Sequence, residues 1–165
     1  MILSGAERTP EMDLIAGSIE SANARIRFFR LAYGSAGPQP IARAEVLRTL
    51  EALARGSRTS YEWKAEGDHP RIEVKAVLLL LQCLEAGLPM GGRLQVTQDA
   101  GSWIVRAEGP RLRLGLPAWQ VLSGRGEQWP EGSAVVQFVL LEGVLASLGR
   151  SLSLSESPDR IEARF

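Results

Sequence analysis

The chain has 165 residues, 19 Lys+Arg against 19 Asp+Glu, a formal net charge of +0, and 45% apolar with 23% charged residues. That length suits one large domain or two small ones, which bury roughly 70% of the unfolded surface without a metal or disulfide staple. Zero net charge offers no long-range field to nucleic acid or an anionic membrane. A lone Cys83 makes no internal disulfide and points to a reducing, cytoplasmic setting, and a lone His69 excludes a centre that needs two histidines. No apolar run approaches the roughly 18 residues that span a bilayer. MILSGAERTPEM lacks the basic, apolar and cleavage segments of a signal peptide.

Thr9-Pro10-Glu11 predicts a helix start, with Thr as cap, Pro at the first position and an acid at the positive end of the dipole. From there to Tyr33, apolar or small residues fall at Met12, Ile15, Ile19, Ala22, Ile26, Phe29 and Tyr33. The steps alternate 3 and 4, which is a heptad seam. Leu14, Phe28 and Leu31 form a second apolar set. A helix with two apolar sides belongs in a bundle, yet MILSGAER leaves no neighbour within the chain. Self-association through the seam, as a homodimer, is the expectation.

GSAGPQP at 34–40 reads as a linker and places a boundary between residues 1–34 and 35–165. Beyond it the pattern predicts a helix over Ala42–Arg55, a strand over Thr59–Lys64 and a buried helix from Arg71 to about Leu88. A hairpin follows, Arg93–Gln98 and Trp103–Ala107, turning at Asp99-Ala100-Gly101-Ser102. Arg111–Leu114 reads as a short strand, Pro117–Leu122 as a short helix and the Gly-rich stretch Ser123–Gly132 as a loop with Trp129 exposed. Ser133–Leu148 reads as a helix closed by Gly149, and Arg150–Ser155 with Arg160–Phe165 as a final hairpin. This order suggests an α+β sandwich with helices on one face.

The order of parts resembles a sensor histidine kinase core: a dimerising helical hairpin, then an ATP-binding sandwich of the Bergerat type. Leu84 to Val96, through Pro89-Met90-Gly91-Gly92, is similar to the kinase stretch that enters a strand, and Leu145 to Arg150 to the region after the second glycine box. Three nucleotide boxes are missing. Cys83 stands where kinases place the Mg²⁺-holding Asn, and a thiol is a poor ligand for a hard cation. Glu108-Gly109-Pro110-Arg111 replaces Asp-x-Gly-x-Gly, and Glu131-Gly132-Ser133-Ala134-Val135-Val136 replaces the phosphate-covering glycines.

A kinase-like body without an ATP site resembles the ChpT-type histidine phosphotransferases of alphaproteobacterial cell-cycle relays. Glu20-Ser21-Ala22-Asn23-Ala24-Arg25-Ile26-Arg27-Phe28-Phe29-Arg30 is similar to that family's second-helix signature. Ala42–Val46 and Glu66–Arg71 resemble segments that follow it. The resemblance implies a partial dimerisation and phosphotransfer hairpin over 1–34 and a degenerate Bergerat-type sandwich over 35–165. It implies a four-helix-bundle homodimer and no cofactor. The function it implies is carrying phosphoryl groups from a hybrid kinase's receiver to response regulators. The family's phosphoacceptor histidine lies in a His-Asp-Leu-like motif on the first hairpin helix. Met1-Ile2-Leu3-Ser4-Gly5 reads like the tail of that helix and its loop, so this chain is expected to be inactive as it stands. The rival readings are a non-catalytic dimeric scaffold that binds receivers and, more remotely, a kinase or ATPase fragment.

No catalytic, cofactor or metal residue is assigned. Arg25, Arg27 and Arg30 either pair with the acidic rim of a receiver or compensate the helix dipole, and Asn23 either sets bundle register or contacts a receiver. His69 reads either as a substitute nucleophile oriented by Asp68 or, in preference, as an exposed loop or cap residue; Cys83 reads as a small buried hydrophobe, and Gly91-Gly92 as a helix stop in preference to a phosphate-cradling turn.

Overall fold

The computed structural model describes residues 8–132 and 135–165. The expected tail of a preceding helix at Met1–Gly5 therefore lies outside the described residues, as do Ser133 and Ala134 of the expected glycine box.

Helix α1 spans Pro10–Tyr33, about 36 Å at 1.5 Å per residue. It starts as its capping chemistry dictates: Thr9 Oγ1 accepts the Met12 N–H at 3.2 Å, Pro10 opens the first turn, and Glu11 and Asp13 face the positive end of the dipole. It stops at Gly34, whose N–H donates to the Arg30 carbonyl at 3.1 Å. Helix α2 (Arg43–Ala54) follows the linker. Strand β1 (Thr59–Trp63) and strand β2 (Gly92–Asp99) pair in parallel, so the chain must cross over between them, and helix α3 (Arg71–Glu85) is that crossover. Strand β3 (Ser102–Glu108) returns antiparallel to β2. The short helix α4 (Pro117–Leu122), helix α5 (Val136–Leu148) and the hairpin β4 (Ser153–Ser157) and β5 (Arg160–Arg164) complete the chain.

The sheet order is β1-β2-β3-β5-β4. Alternation along the strands gives it one apolar and one polar face. Leu94, Val96, Trp103, Val105, Ala107, Ile161 and Ala163 are buried in a core that also holds α3 residues such as Leu78, Leu80 and Leu84. The other face carries a ladder of charges: Arg93 Nη2 and Gln95 Nε2 donate to Glu62 Oε2 at 2.7 and 2.9 Å, and Arg106 Nε to Glu162 Oε2 at 2.7 Å. Helix α5 packs on α3 and closes in a Schellman turn, with Gly149 at φ +65° and the Arg150 N–H reaching the Leu145 carbonyl at 2.9 Å.

Several sequence expectations need correction. Helix α1 does have a neighbour within the chain: Ala24, Phe28, Leu31 and Ala32 are buried where it packs on α2 and α3. Arg111–Leu114 is not a strand. Both edges of β3 are taken, by β2 and β5, and the Arg113 N–H instead donates to the Gly87 carbonyl at 2.8 Å, at the end of α3. Trp129 is half-buried and rests against the core. His69 is buried, held by backbone hydrogen bonds to Ile41 in both directions at 2.9 and 3.2 Å. Gly91-Gly92 does more than stop a helix. Gly91 has φ +78°, and a Cβ there would collide with the Arg58 carbonyl, while one at Gly92 would collide with that of Glu108.

Candidate functional site

The chemistry-bearing residues concentrate on α1, which has two distinct faces. Phe28 is 2% exposed and seals the helix on the domain, whereas Ile15, Ile19 and Ile26 are each more than half exposed. Met12, Ala22 and Phe29 are exposed with them. Tyr33 ends the seam half-buried, with its hydroxyl donating to Gln82 Oε1 of α3. Burial, and secondarily Cys83, pushes its phenol above the ordinary value. The helix thus presents a strip of apolar side chains to solvent while its opposite face, at i, i+4, i+7 and i+8, anchors it.

Asn23, Arg25, Arg27 and Arg30 are all exposed, but they do not form one patch. Arg25 borders a cavity of about 150 Å³ with Phe28, Phe29, Tyr61 and Glu85. There, burial and then the Glu85 carboxylate push the Tyr61 phenol well up, with Arg25 opposing. Arg27 and Arg30 turn to a separate groove of about 680 Å³, where they meet Arg48 of α2 and Arg71 of α3. Sequence reasoning missed Arg48 and Arg71. Their convergence depends on how three helices pack, and the only local trace is a basic residue on each.

Among the described residues, Cys83 and Gly109, at two of the kinase-box positions, do not fit a nucleotide. Cys83 is fully buried in α3, and burial pushes its thiol well above the ordinary range. Where an adenine-binding loop follows β3 in kinases, Gly109 lies against Leu88 and Gly91: a Cβ there would come 2.7 Å from Leu88 Cδ2 and 2.8 Å from the Gly91 carbonyl. Trp119 of α4 is buried edge-on to Phe138 of α5, with centroids 5.0 Å apart. Cys83 and Gly109 thus offer a buried thiol and a tight backbone contact where a nucleotide site needs room and oxygen donors for a hard cation. Among the described residues, no three of His, Cys, Asp and Glu group as a metal site.

The His69 imidazole is largely enclosed, the residue being 9% exposed. Its ring stands edge-on to Trp103 at 4.7 Å, and Nε2 is buried without a hydrogen-bond partner among the described residues.

Beyond residue 42, a family model described as the histidine phosphotransferase C-terminal domain matches residues 43–160, from the start of α2 to the start of β5. The chain belongs to that family. A curated relative, protein phosphotransferase ChpT of Brucella abortus (strain 2308), is 25% identical over 144 residues, which is 83% of this chain and 69% of the relative. A solved structure of a bacterial phosphotransferase superposes with a TM-score of 0.79 at 22% identity, covering 93% of this chain and 77% of that one. The histidine kinase domain of the Erythrobacter litoralis EL346 blue-light activated kinase gives a TM-score of 0.52 at 15% identity, covering 92% and 80%. Both show the shared fold. The family therefore has a histidine-kinase-like α+β body, and in this chain that body carries α1 on the outside of its α2–α3 layer.

Proposed function

We propose that this chain is the docking and dimerising part of a histidine phosphotransferase in a cytoplasmic bacterial phosphorelay, of the kind that governs cell-cycle regulators. The complete unit takes a phosphoryl group from a hybrid kinase's receiver and passes it to response regulators. Residues 1–34 belong to the dimerising hairpin and 35–165 to the kinase-like domain, a division supported by a family match that begins at residue 43. One observation carries the reading: α1 is anchored on a family-matched domain by Phe28 and Leu31 while Met12, Ile15, Ile19, Ile26 and Phe29 stand bare. That is the geometry of a bundle helix awaiting partner helices. No helix of the described residues is long and apolar enough to cross a membrane.

The chemistry asks for an imidazole nitrogen to attack the phosphorus of a receiver's acyl phosphate, in line with the departing aspartate carboxylate. The one imidazole in these 165 residues is His69, buried against Trp103. This chain therefore neither accepts nor passes phosphate, yet it binds receivers through α1, with Asn23, Arg25, Arg27 and Arg30 as contacts.

The test uses a radiolabelled phosphorylated receiver and three proteins: this chain, its His69→Ala variant, and the chain joined to an upstream helix bearing His-Asp-Leu. Acid-labile label is expected on the third alone. Label on this chain that vanishes in His69→Ala would overturn the assignment. The burial of His69 also favours the rival reading, a non-catalytic dimeric scaffold. An extended form that binds cognate receivers but takes no label selects that rival.

A further inference from the structure

We propose that the groove between the end of α1, α2 and the first turn of α3 is a binding site for a small polyphosphate-type anion. Arg27 and Arg30 come from α1, Arg48 from α2 and Arg71 from the first position of α3, with Glu45 the one carboxylate in the lining. Four guanidiniums less one carboxylate leave a formal charge of +3 (4 − 1) in one groove, on a chain whose charges sum to zero. Among the described residues none of the four is in an ion pair, whereas Arg43, Arg55, Arg93, Arg106 and Arg150 all are. Other arginines, Arg25, Arg160 and Arg164 among them, also lack a carboxylate partner among the described residues; what marks this groove is that four such residues line it together. Behind the groove Lys75 Nζ donates to the Gly34 carbonyl at 2.7 Å, which fixes the lining where α1 ends and adds a nearby cation.

Crowded guanidiniums repel one another until an anion joins them, and their planar forks match phosphoryl oxygens two at a time. The volume, about 680 Å³, exceeds what a single phosphate fills. The rest of the lining is Leu31, Thr49 and the Gly34-Ser35 backbone, with no aromatic ring on which a base could stack. The site therefore reads linked phosphoryl groups and not a nucleobase. It is concave and built from three helices, a shape suited to a small ligand more than to the flat acidic face of a protein.

The inference needs neither a receiver nor a phosphoacceptor, although the groove shares Arg27 and Arg30 with the proposed receiver contacts. Arg48 and Arg71 are not among the proposed receiver contacts, so they make the test specific. The probe is inorganic tripolyphosphate, titrated calorimetrically into the full chain at low and at physiological salt. Micromolar binding is expected at low salt, weakening as salt rises. Arg48→Gln with Arg71→Gln should bind about tenfold more weakly. The same charge change on β5, Arg160→Gln with Arg164→Gln, should bind as the native chain does. Melting curves taken in parallel check that each variant is folded, and the ligand should raise the native midpoint more than that of the groove variant. Three results overturn the site: no binding at low salt, equal loss in both double variants, or binding of a glutamate-rich peptide in preference to tripolyphosphate. The last would make the groove a contact for an acidic protein.

Discussion

Ala100 shows how a single residue holds avoidable strain. It sits at φ +48° with Gly101 at +84°, and Asp99 pairs directly with Ser102, so the β2–β3 hairpin turns in two residues of mirror-image type. Such a turn favours Asn at the first position, while a left-handed Cβ costs about 1–2 kcal/mol. Ala100→Asn should stabilise the chain by about 1 kcal/mol and raise the melting midpoint by about 2–4 °C; calorimetry that finds no rise means the strain is relieved elsewhere. Gly91 is the reverse case, because φ +78° and the adjacent Arg58 carbonyl leave no room for a side chain. The turn at Asp99–Ser102 was legible because Gly marks it locally. The burial of His69 was not. Asp68-His69-Pro70 reads as a polar loop, and what buries the ring is Trp103 and the Ile41 bridge, both distant in sequence.

At the scale of elements, α1 separates two kinds of energy on one helix. The inner face, Ala24, Phe28, Leu31 and Ala32, contributes to folding; the outer face contributes only if something covers it. Phe28→Ala should therefore cost about 3–5 kcal/mol in urea unfolding, a large share of the roughly 5–15 kcal/mol that holds a domain together. Ile19→Asp with Ile26→Asp should leave the unfolding midpoint nearly unchanged at concentrations where the chain is monomeric, since both side chains are then in water. It should instead convert dimers to monomers in sedimentation, because covering apolar surface is worth about 25 cal/mol per Å². A native chain that sediments as a monomer at high concentration would remove self-association from the account. Periodicity made the two faces visible, but it did not say which face was internal. The heptad seam is the more regular pattern, yet α2 and α3 take the less regular one. The two-residue spacing of Leu112 and Leu114 misled in the same way: alternation suggested a strand, but β2 and β5 already occupy both sides of β3 and this segment pairs with no strand.

For the whole molecule, the one-sided sheet and the buried crossover helix place several titratable groups where only their neutral forms are comfortable. Burial pushes the Cys83 thiol well above its ordinary 9.0. Burial and then Glu85 push the Tyr61 phenol well above 10.0, and burial followed by Cys83 raises Tyr33. All three are acids whose folded forms hold their protons longer than the unfolded chain does. Below the unfolded values both states are protonated, and their contribution to stability is fully present. As pH rises through about 9 to 10 the unfolded chain gives up protons that the folded one retains, so the free energy of unfolding falls and keeps falling until the folded values are reached. Urea midpoints should thus be flat from about pH 7 to about pH 8.5 as far as these groups are concerned, and decline above that. Tyr61→Phe removes one of the three ionisations while keeping the ring that lies beside Phe28 and Leu53. Its midpoint should decline less steeply with alkaline pH than that of the native chain, and parallel declines would show that the Tyr61 phenol is as easily ionised in the folded protein as in water.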